Sequence, residues 1–154
     1  MTDLDRAQLL TAVRSAVAAA PNADAAMQQV LRLLKDAIPY YTWVGIYLVD
    51  GGELVLGPFL GKPSPHTRIP LGRGICGAAA TEKQTIIVDD VNADPRYLAC
   101  SIETRSEIVV PIMNGSDVLG EIDIDSDRPA AFGADDRALL EQIAPLLAEA
   151  LSEG

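Results

Sequence analysis

Two cysteines are the residues of this chain whose chemistry is easiest to single out. Cys100 lies in a polar, turn-like segment directly before a strong strand signal that begins at Glu107. A buried structural cysteine would more often lie inside such a strand, among the aliphatic residues, so Cys100 is a candidate nucleophile. Cys76 lies at the start of a predicted short helix, where the helix dipole would lower the pKa of its thiol. The alternative for Cys76 is a small residue buried in the core.

A second group of reactive side chains shares one face of a predicted sheet, because strand residues alternate between the two faces. An aromatic wall beside carboxylates suits an ammonium group, through charge pairing and cation–π attraction. Crowding would also raise the pKa of one carboxyl group, so that it holds a proton near neutral pH. One alternative is an ordinary solvent-exposed face, which is usual for antiparallel sheets. The group consists of Trp43, Tyr47, Glu107, Glu121, Asp123 and Asp125.

A metal site is not predicted. Carboxylates are ligands for hard divalent ions, but the chain has no Asp-x-Asp-x-Asp-Gly loop. With one histidine and no Cys-x-x-Cys motif, no zinc site can be assembled from local motifs.

The residues from 57 to 74 are rich in glycine and proline and interrupt the strand pattern. Loops of this kind often cover a site, although an ordinary surface loop is the alternative. His66 lies in this segment. Its side chain is expected to be solvated, and its functional alternatives are a pH-dependent loop contact or a base near Cys100.

The pattern of helices and strands that must position these residues predicts an α+β domain. Apolar residues at helical spacing predict helices at 3–20, 23–38 and 134–151, the first with a capping box formed by Thr2 and Asp5. We expect one domain over residues 1–154: N-terminal helices at about 3–38, a sheet core at about 43–125 and a C-terminal helix at about 134–151. The helices would cover one face of a central antiparallel sheet of five to six strands, with a ligand pocket under loops on the other. A short helix is predicted at 75–82, and strands are predicted at 43–49, 53–60, 67–70, 85–88, 107–113 and 117–125.

Charge and composition narrow the class of protein. A net charge of −10 argues against nucleic acid or an anionic membrane as a partner, since either would need a basic face. The acidic N-terminus does not resemble a secretory signal, and the longest apolar run, 43–49, is too short to span a bilayer. Two cysteines without a targeting signal indicate a reducing compartment, so we expect a cytoplasmic protein.

Several blocks, taken together and in order, resemble the free methionine-(R)-sulfoxide reductases, which are small proteins of GAF fold. The resemblance extends over about residues 25 to 150. It is carried by Trp43-Val-Gly-Ile-Tyr47, Leu56-Gly-Pro-Phe-Leu-Gly-Lys62, Arg68-Ile-Pro-Leu-Gly-Arg-Gly-Ile-Cys-Gly77, Leu98-Ala-Cys100, Ser106-Glu-Ile-Val-Val-Pro111 and Gly120-Glu-Ile-Asp-Ile-Asp-Ser126.

The resemblance implies specific roles for the residues already singled out. Cys100 would be the nucleophile. For a substrate of this kind we expect the ammonium group to pair with Glu107 and one aspartate, and a protonated Asp125 or its neighbour to hydrogen-bond the sulfoxide oxygen. The family's usual resolving cysteine would stand where this chain has His66, whereas a further family cysteine matches Cys76. The implied substrate pocket contains Trp43, Tyr47, Glu107, Asp123 and Asp125, without Glu121.

The implied reaction is thiol-dependent reduction of free L-methionine-(R)-sulfoxide to L-methionine. It would pass through a Cys100 sulfenic acid, which either reacts with Cys76 to form a Cys100–Cys76 disulfide or is resolved directly by an external thiol. No cofactor would be bound; a thioredoxin-like dithiol would supply electrons and use NADPH indirectly, and a homodimer is compatible with the family. The alternative is a non-catalytic GAF domain that binds a small molecule as a sensor and has lost the principal resolving cysteine.

Overall fold

A computed structural model describes residues 2–97 and 103–153, so the predicted nucleophile Cys100 lies outside the described residues. The helices and strands lie within two residues of their predicted bounds, and a short 3-10 helix at Val91–Ala93 was not predicted. The α-helices are α1 (Asp3–Ala19), α2 (Ala23–Ala37), α3 (Gly74–Glu82) and α4 (Ala134–Glu153). The strands are β1 (Trp43–Asp50), β2 (Glu53–Leu60), β3 (Arg68–Pro70), β4 (Ile86–Val88), β5 (Ser106–Asn114) and β6 (Asp117–Ser126).

The six strands form one sheet in the order β3-β2-β1-β6-β5-β4, and every neighbouring pair is antiparallel. The predicted α+β architecture is therefore confirmed. Two hairpins, β1–β2 and β5–β6, are joined through the pairing of β1 with β6 at the centre of the sheet. The four inner strands, β2, β1, β6 and β5, are consequently hydrogen-bonded to a neighbouring strand on both edges.

One face of the sheet packs against α1, α2 and α4 and forms the larger hydrophobic core. Val44, Ile46, Ile108, Ile122 and Ile124 are fully buried there, as the alternation of strand residues predicted. Burying a side chain of this size contributes about 1.5–3 kcal/mol, so this layer supplies much of the driving force for folding.

The termini of two helices are fixed by carboxylates. Thr2 and Asp5 form the predicted capping box of α1, with both reciprocal hydrogen bonds at 3.1 Å. Near the start of α4, Oδ1 of the buried Asp136 accepts hydrogen bonds of 2.7 Å from the hydroxyls of Tyr40 and Tyr41. The second oxygen of Asp136 accepts the Gly133 N–H at 3.0 Å. These bonds fasten α4 to the segment that leads into β1.

The opposite face of the sheet is also covered, by α3 and by the loop between β2 and β3. It carries a second, smaller apolar cluster that includes Trp43, Tyr47, Ile75, Cys76 and Val109. The alternative of a solvent-exposed face is therefore wrong. Within the described ranges, no helix combines the length and the apolar character needed to span a bilayer.

Candidate functional site

Strand pairing brings four carboxylates together on the face under α3. Asp125 of β6 lies opposite Trp43 on one side and Glu107 on the other. Two residues along β6, Asp123 lies opposite Gly45 and Val109. The third carboxylate of β6 is Glu121, which is opposite Tyr47 and Pro111. The sequence predicted this shared face from the period of two alone.

These carboxylates are buried, although acidic side chains are rarely buried without a partner. The exposed fractions are 5% for Glu107, 0% for Glu121, 2% for Asp123 and 4% for Asp125. Both carboxylate oxygens of Glu121 and Oδ1 of each aspartate have no hydrogen-bond partner among the residues that the structure describes. Each unsatisfied buried polar atom costs about 1–3 kcal/mol of stability. These oxygens therefore indicate a site that binds a ligand or holds protons, and not a group of carboxylates kept for structure.

Burial raises the pKa of three of these carboxyl groups. Desolvation is the largest cause for Glu121, Asp123 and Asp125, and the charge of Asp123 adds to it for the other two. The predicted rise in carboxyl pKa therefore occurs, with burial as a larger cause than crowding. Protonated carboxyl groups are consequently favoured in this part of the sheet, and they can donate a hydrogen bond to an acceptor on a ligand.

Cys76 is the third residue of α3 and points its thiol at the carboxylates. Its side chain is buried, and Sγ lies 4.0 Å from Oε2 of Glu107, a distance at which the thiol donates a weak hydrogen bond. Burial raises the pKa of this thiol well above its ordinary value, and the charges of Asp123, Glu121, Glu107 and Asp125 raise it further. The expectation that the helix dipole would lower this pKa is therefore wrong, because desolvation and four nearby carboxylates outweigh the dipole of a nine-residue helix.

The two aromatic residues of β1 hold the β2–β3 loop over this face. The indole N–H of Trp43 donates a 2.8 Å hydrogen bond to the carbonyl of Lys62, and the Tyr47 hydroxyl donates one of 2.8 Å to the carbonyl of His66. The Trp43 ring stacks on Phe59 with centroids 5.8 Å apart. The loop passes so close to the indole that a Cβ on Gly61, whose φ is +127°, would lie 2.6 Å from Trp43 Cδ1. Residues 61–67 therefore cover this face of the sheet, as predicted for the Gly/Pro-rich segment.

Two cavities open on either side of the buried carboxylates. The first has a volume of about 70 Å³ and includes Trp43, Lys62, Glu103, Asp125 and Asp127 in its lining. Glu103 stands three positions after Cys100 in the chain.

The second cavity is smaller, about 20 Å³, and its lining includes Tyr47, His66, Cys76, Glu107 and Asp123. The His66 side chain is half-buried there, so the expectation of a fully solvated histidine is wrong. Its position beside Cys76 follows from the hydrogen bond that Tyr47 makes to its carbonyl.

Lys62 and Glu103 form an ion pair of 2.7 Å in the lining of the first cavity. The sequence did not predict this pair. The available signal was weak: a single lysine in a Gly/Pro-rich segment, with its partner 41 positions further along the chain.

The structure also brings together donor atoms that no local motif joins. Sγ of Cys76 and one carboxylate oxygen each of Glu107 and Asp123 all lie within 4.8 Å of one another. Their positions in the chain are 31 and 16 residues apart, so the spacing patterns of known zinc motifs could not predict the cluster.

Comparison with known proteins places the chain in a family. The GAF domain model matches residues 22–151. The free methionine-R-sulfoxide reductase of Saccharomyces cerevisiae is 46% identical over 109 residues, which cover 68% of this chain and 60% of the yeast protein.

Two solved structures agree with this assignment. The free methionine-R-sulfoxide reductase of Neisseria meningitidis, determined in complex with its substrate, is 38% identical with a TM-score of 0.92, covering 99% of this chain and 92% of that one. The type II free methionine-R-sulfoxide reductase of Thermoplasma acidophilum is 43% identical with a TM-score of 0.82, covering 85% of this chain and 93% of that one. The chain therefore belongs to the GAF domain family and, within it, to the free methionine-R-sulfoxide reductases, which are oxidoreductases.

Proposed function

We propose that this protein reduces free L-methionine-(R)-sulfoxide to L-methionine, with Cys100 as the nucleophile. The observation that carries the proposal is the row of buried carboxylates with unpartnered oxygens beside the Trp43 indole. Such a site suits a small ligand with an ammonium group and a hydrogen-bond acceptor. Free methionine sulfoxide offers both, and the Neisseria relative was solved in complex with its substrate.

The groups of a zwitterionic ligand find complementary partners around the two cavities. In this proposal the substrate ammonium group pairs with Glu107 and Asp123, and the terminal methyl group packs on the Trp43 ring. Lys62 is a cation in the lining of the first cavity, so its ammonium group pairs with the substrate carboxylate in place of Glu103. Breaking the Lys62–Glu103 pair costs little free energy, since exposed ion pairs are worth about 0.2–1 kcal/mol.

The first chemical step needs a proton donor and a thiolate. Asp125 faces the first cavity as a buried carboxyl group whose raised pKa favours the protonated form, so it can hydrogen-bond the sulfoxide oxygen and make the sulfur electrophilic. The Cys100 thiolate then attacks this sulfur. The S–O bond of the sulfoxide breaks as the oxygen, with the proton from Asp125, passes from the methionine sulfur to Cys100. Methionine leaves as the thioether, its sulfur reduced by two electrons, and Cys100 is oxidised by two electrons to a sulfenic acid.

The second step regenerates the nucleophile. The Cys76 sulfur attacks the sulfenic acid of Cys100, the S–O bond breaks, and water leaves as the disulfide forms. The thiol proton of Cys76 passes to Glu107, the acceptor 4.0 Å from Sγ, because a thiol with a raised pKa does not ionise unaided. Glu107 then gives this proton to the hydroxyl of the sulfenic acid, which leaves as water. A thioredoxin-like dithiol, itself reduced at the expense of NADPH, would return the disulfide to two thiols. This scheme places the protein in a reducing, cytoplasmic compartment.

The test is a thiol-coupled assay with the R and S epimers of free methionine sulfoxide. We expect turnover of the R epimer alone, and none with Cys100→Ser. Cys76→Ser serves as the matched control, because it keeps the first step and should release one equivalent of methionine per chain. Turnover by Cys100→Ser would overturn the assignment of the nucleophile, and thermal stabilisation by the ligand without any turnover would favour the sensor alternative.

A further inference from the structure

Cys76, Glu107 and Asp123 form a compact donor cluster contributed by three different elements, α3, β5 and β6. One donor atom from each lies within 4.8 Å of the other two, and the Cys76 Sγ to Glu107 Oε2 distance is 4.0 Å. All three side chains are buried, with exposed fractions of 6%, 5% and 2%. Their positions are therefore fixed by the sheet register and by the packing of α3, rather than by flexible surface loops.

The oxygens around this cluster lack the hydrogen bonds that would satisfy them within the protein. Oδ1 of Asp123 and both carboxylate oxygens of Glu121, one pleat further along β6, have no partner among residues 2–97 and 103–153. A bound cation would displace the protons of the Cys76 thiol and of these carboxyl groups, and it would supply a partner for oxygens that the protein leaves unsatisfied.

The donor types select the kind of cation. Calcium and magnesium prefer sites made of oxygen alone, whereas a thiolate is a soft ligand that selects zinc and similar ions. Tetrahedral zinc, with Zn–S near 2.3 Å and Zn–O near 2.1 Å, requires an S···O separation of about 3.6 Å. The observed 4.0 Å between Cys76 Sγ and Glu107 Oε2 needs to close by only a few tenths of an ångström. We propose that Cys76, Glu107 and Asp123 bind one thiophilic divalent cation of the zinc class in the reduced protein.

This site would link metal binding to the redox state of the protein. The cation would occupy the position proposed above for the substrate ammonium group, so metal and substrate would exclude each other. Oxidation of Cys76 would remove the sulfur ligand and release the metal. Metal binding itself depends only on described residues and does not require Cys100, so it stands apart from the proposed catalytic activity.

The experiment is a titration of the reduced full-length protein with Co²⁺, followed by displacement with Zn²⁺. We expect one Co²⁺ per chain, a near-ultraviolet sulfur-to-cobalt charge-transfer band, and loss of that band on addition of Zn²⁺. Cys76→Ser should abolish the band, and Asp123→Asn should raise the dissociation constant for Co²⁺ by at least about tenfold. Cys100→Ser is the matched control, since it removes the other thiol and should leave the band intact.

Three outcomes would overturn the proposal: no sulfur-to-cobalt band, a band that disappears with Cys100→Ser, or Asp123→Asn binding as tightly as the parent. Circular dichroism and thermal unfolding of each metal-free variant separate loss of a ligand from loss of the fold. Saturating free methionine sulfoxide should weaken Co²⁺ binding to Cys100→Ser, in which the substrate cannot lead to oxidation of Cys76. Equal affinity with and without it would overturn the overlap of the two positions.

Discussion

The ammonium group of Lys62 lies 2.7 Å from Oε1 of Glu103, and both side chains line the cavity beside Trp43. The side chains are 70% and 55% exposed, so solvent screens the pair and it contributes little to stability. An ion pair that is weak and lies at a cavity is suited to exchange one partner for a ligand. Its two members should therefore have opposite effects on substrate binding.

Lys62→Gln is expected to raise KM for free methionine sulfoxide by about tenfold, the equivalent of losing about 1.4 kcal/mol, with little change in kcat. Glu103→Gln should lower KM, because it removes the group that competes for Lys62. Steady-state measurement of KM and kcat for both variants checks these opposite effects. Methionine sulfoxide amide is the matched substrate: it lacks the carboxylate, so Lys62→Gln should not affect its reduction. A similar loss with the amide would contradict a role in carboxylate recognition.

Asp125→Asn is expected to slow methionine release in a single turnover by at least about tenfold, the low end of general-acid effects. The reason is positional: Asp125 lies opposite both Trp43 and Glu107, and asparagine has a similar shape but no acidic proton. The measurement is the yield of methionine against time, with substrate affinity followed separately by ligand-dependent thermal shift. Asp127→Asn is the control, since Asp127 lines the same cavity but is exposed. An unchanged single-turnover rate for Asp125→Asn would place the proton donor elsewhere.

The sequence predicted the fold and the shared face because both depend on local periodicity. Glu121, Asp123 and Asp125 stand two residues apart, and that spacing alone puts them on one side of a strand. The pairing of β6 with β5 follows from the hairpin turn between them, whereas the pairing of β6 with β1 joins two distant hairpins and leaves no local signal. Residues of this kind can be located without any structure.

Burial and long-range partners could not be predicted in the same way. The pKa of the Cys76 thiol is raised and not lowered because Glu107 and Asp123 approach it from two strands of the sheet, which the sequence of its own helix does not reveal. The ion pair of Lys62 with Glu103 joins two loops and leaves no periodic signal. His66 was likewise judged from its loop alone, although the hydrogen bond from Tyr47 to its backbone brings it beside Cys76.

Cys76→Ser is expected to stop steady-state turnover with thioredoxin as reductant while leaving one equivalent of methionine formed per chain. The structure places Cys76 as a buried thiol 4.0 Å from a carboxylate acceptor, which suits a group that reacts only after Cys100 has been oxidised. Rapid quenching, with quantitation of methionine and of the disulfide by mass spectrometry, separates the two steps. A steady-state rate equal to that of the parent would mean that an external thiol resolves Cys100 directly.

Tyr41→Phe is expected to change how stability depends on pH. Burial raises the pKa of Tyr41 above its ordinary value, and the neighbouring Asp136 carboxylate raises it further. A group whose pKa is higher in the folded state keeps its proton on folding, so its stabilising effect is present below the unfolded pKa of about 10 and is lost as the pH rises above it. At neutral pH the variant should be about 1–3 kcal/mol less stable, because the hydrogen bond to a charged group is gone. The difference should shrink above pH about 10.

Urea unfolding of the parent and of Tyr41→Phe across this pH range measures the difference in the free energy of unfolding. Tyr40→Phe is the comparison, because the Tyr40 ring is only half-buried. A constant difference at every pH would show that the pKa of Tyr41 is not raised on folding.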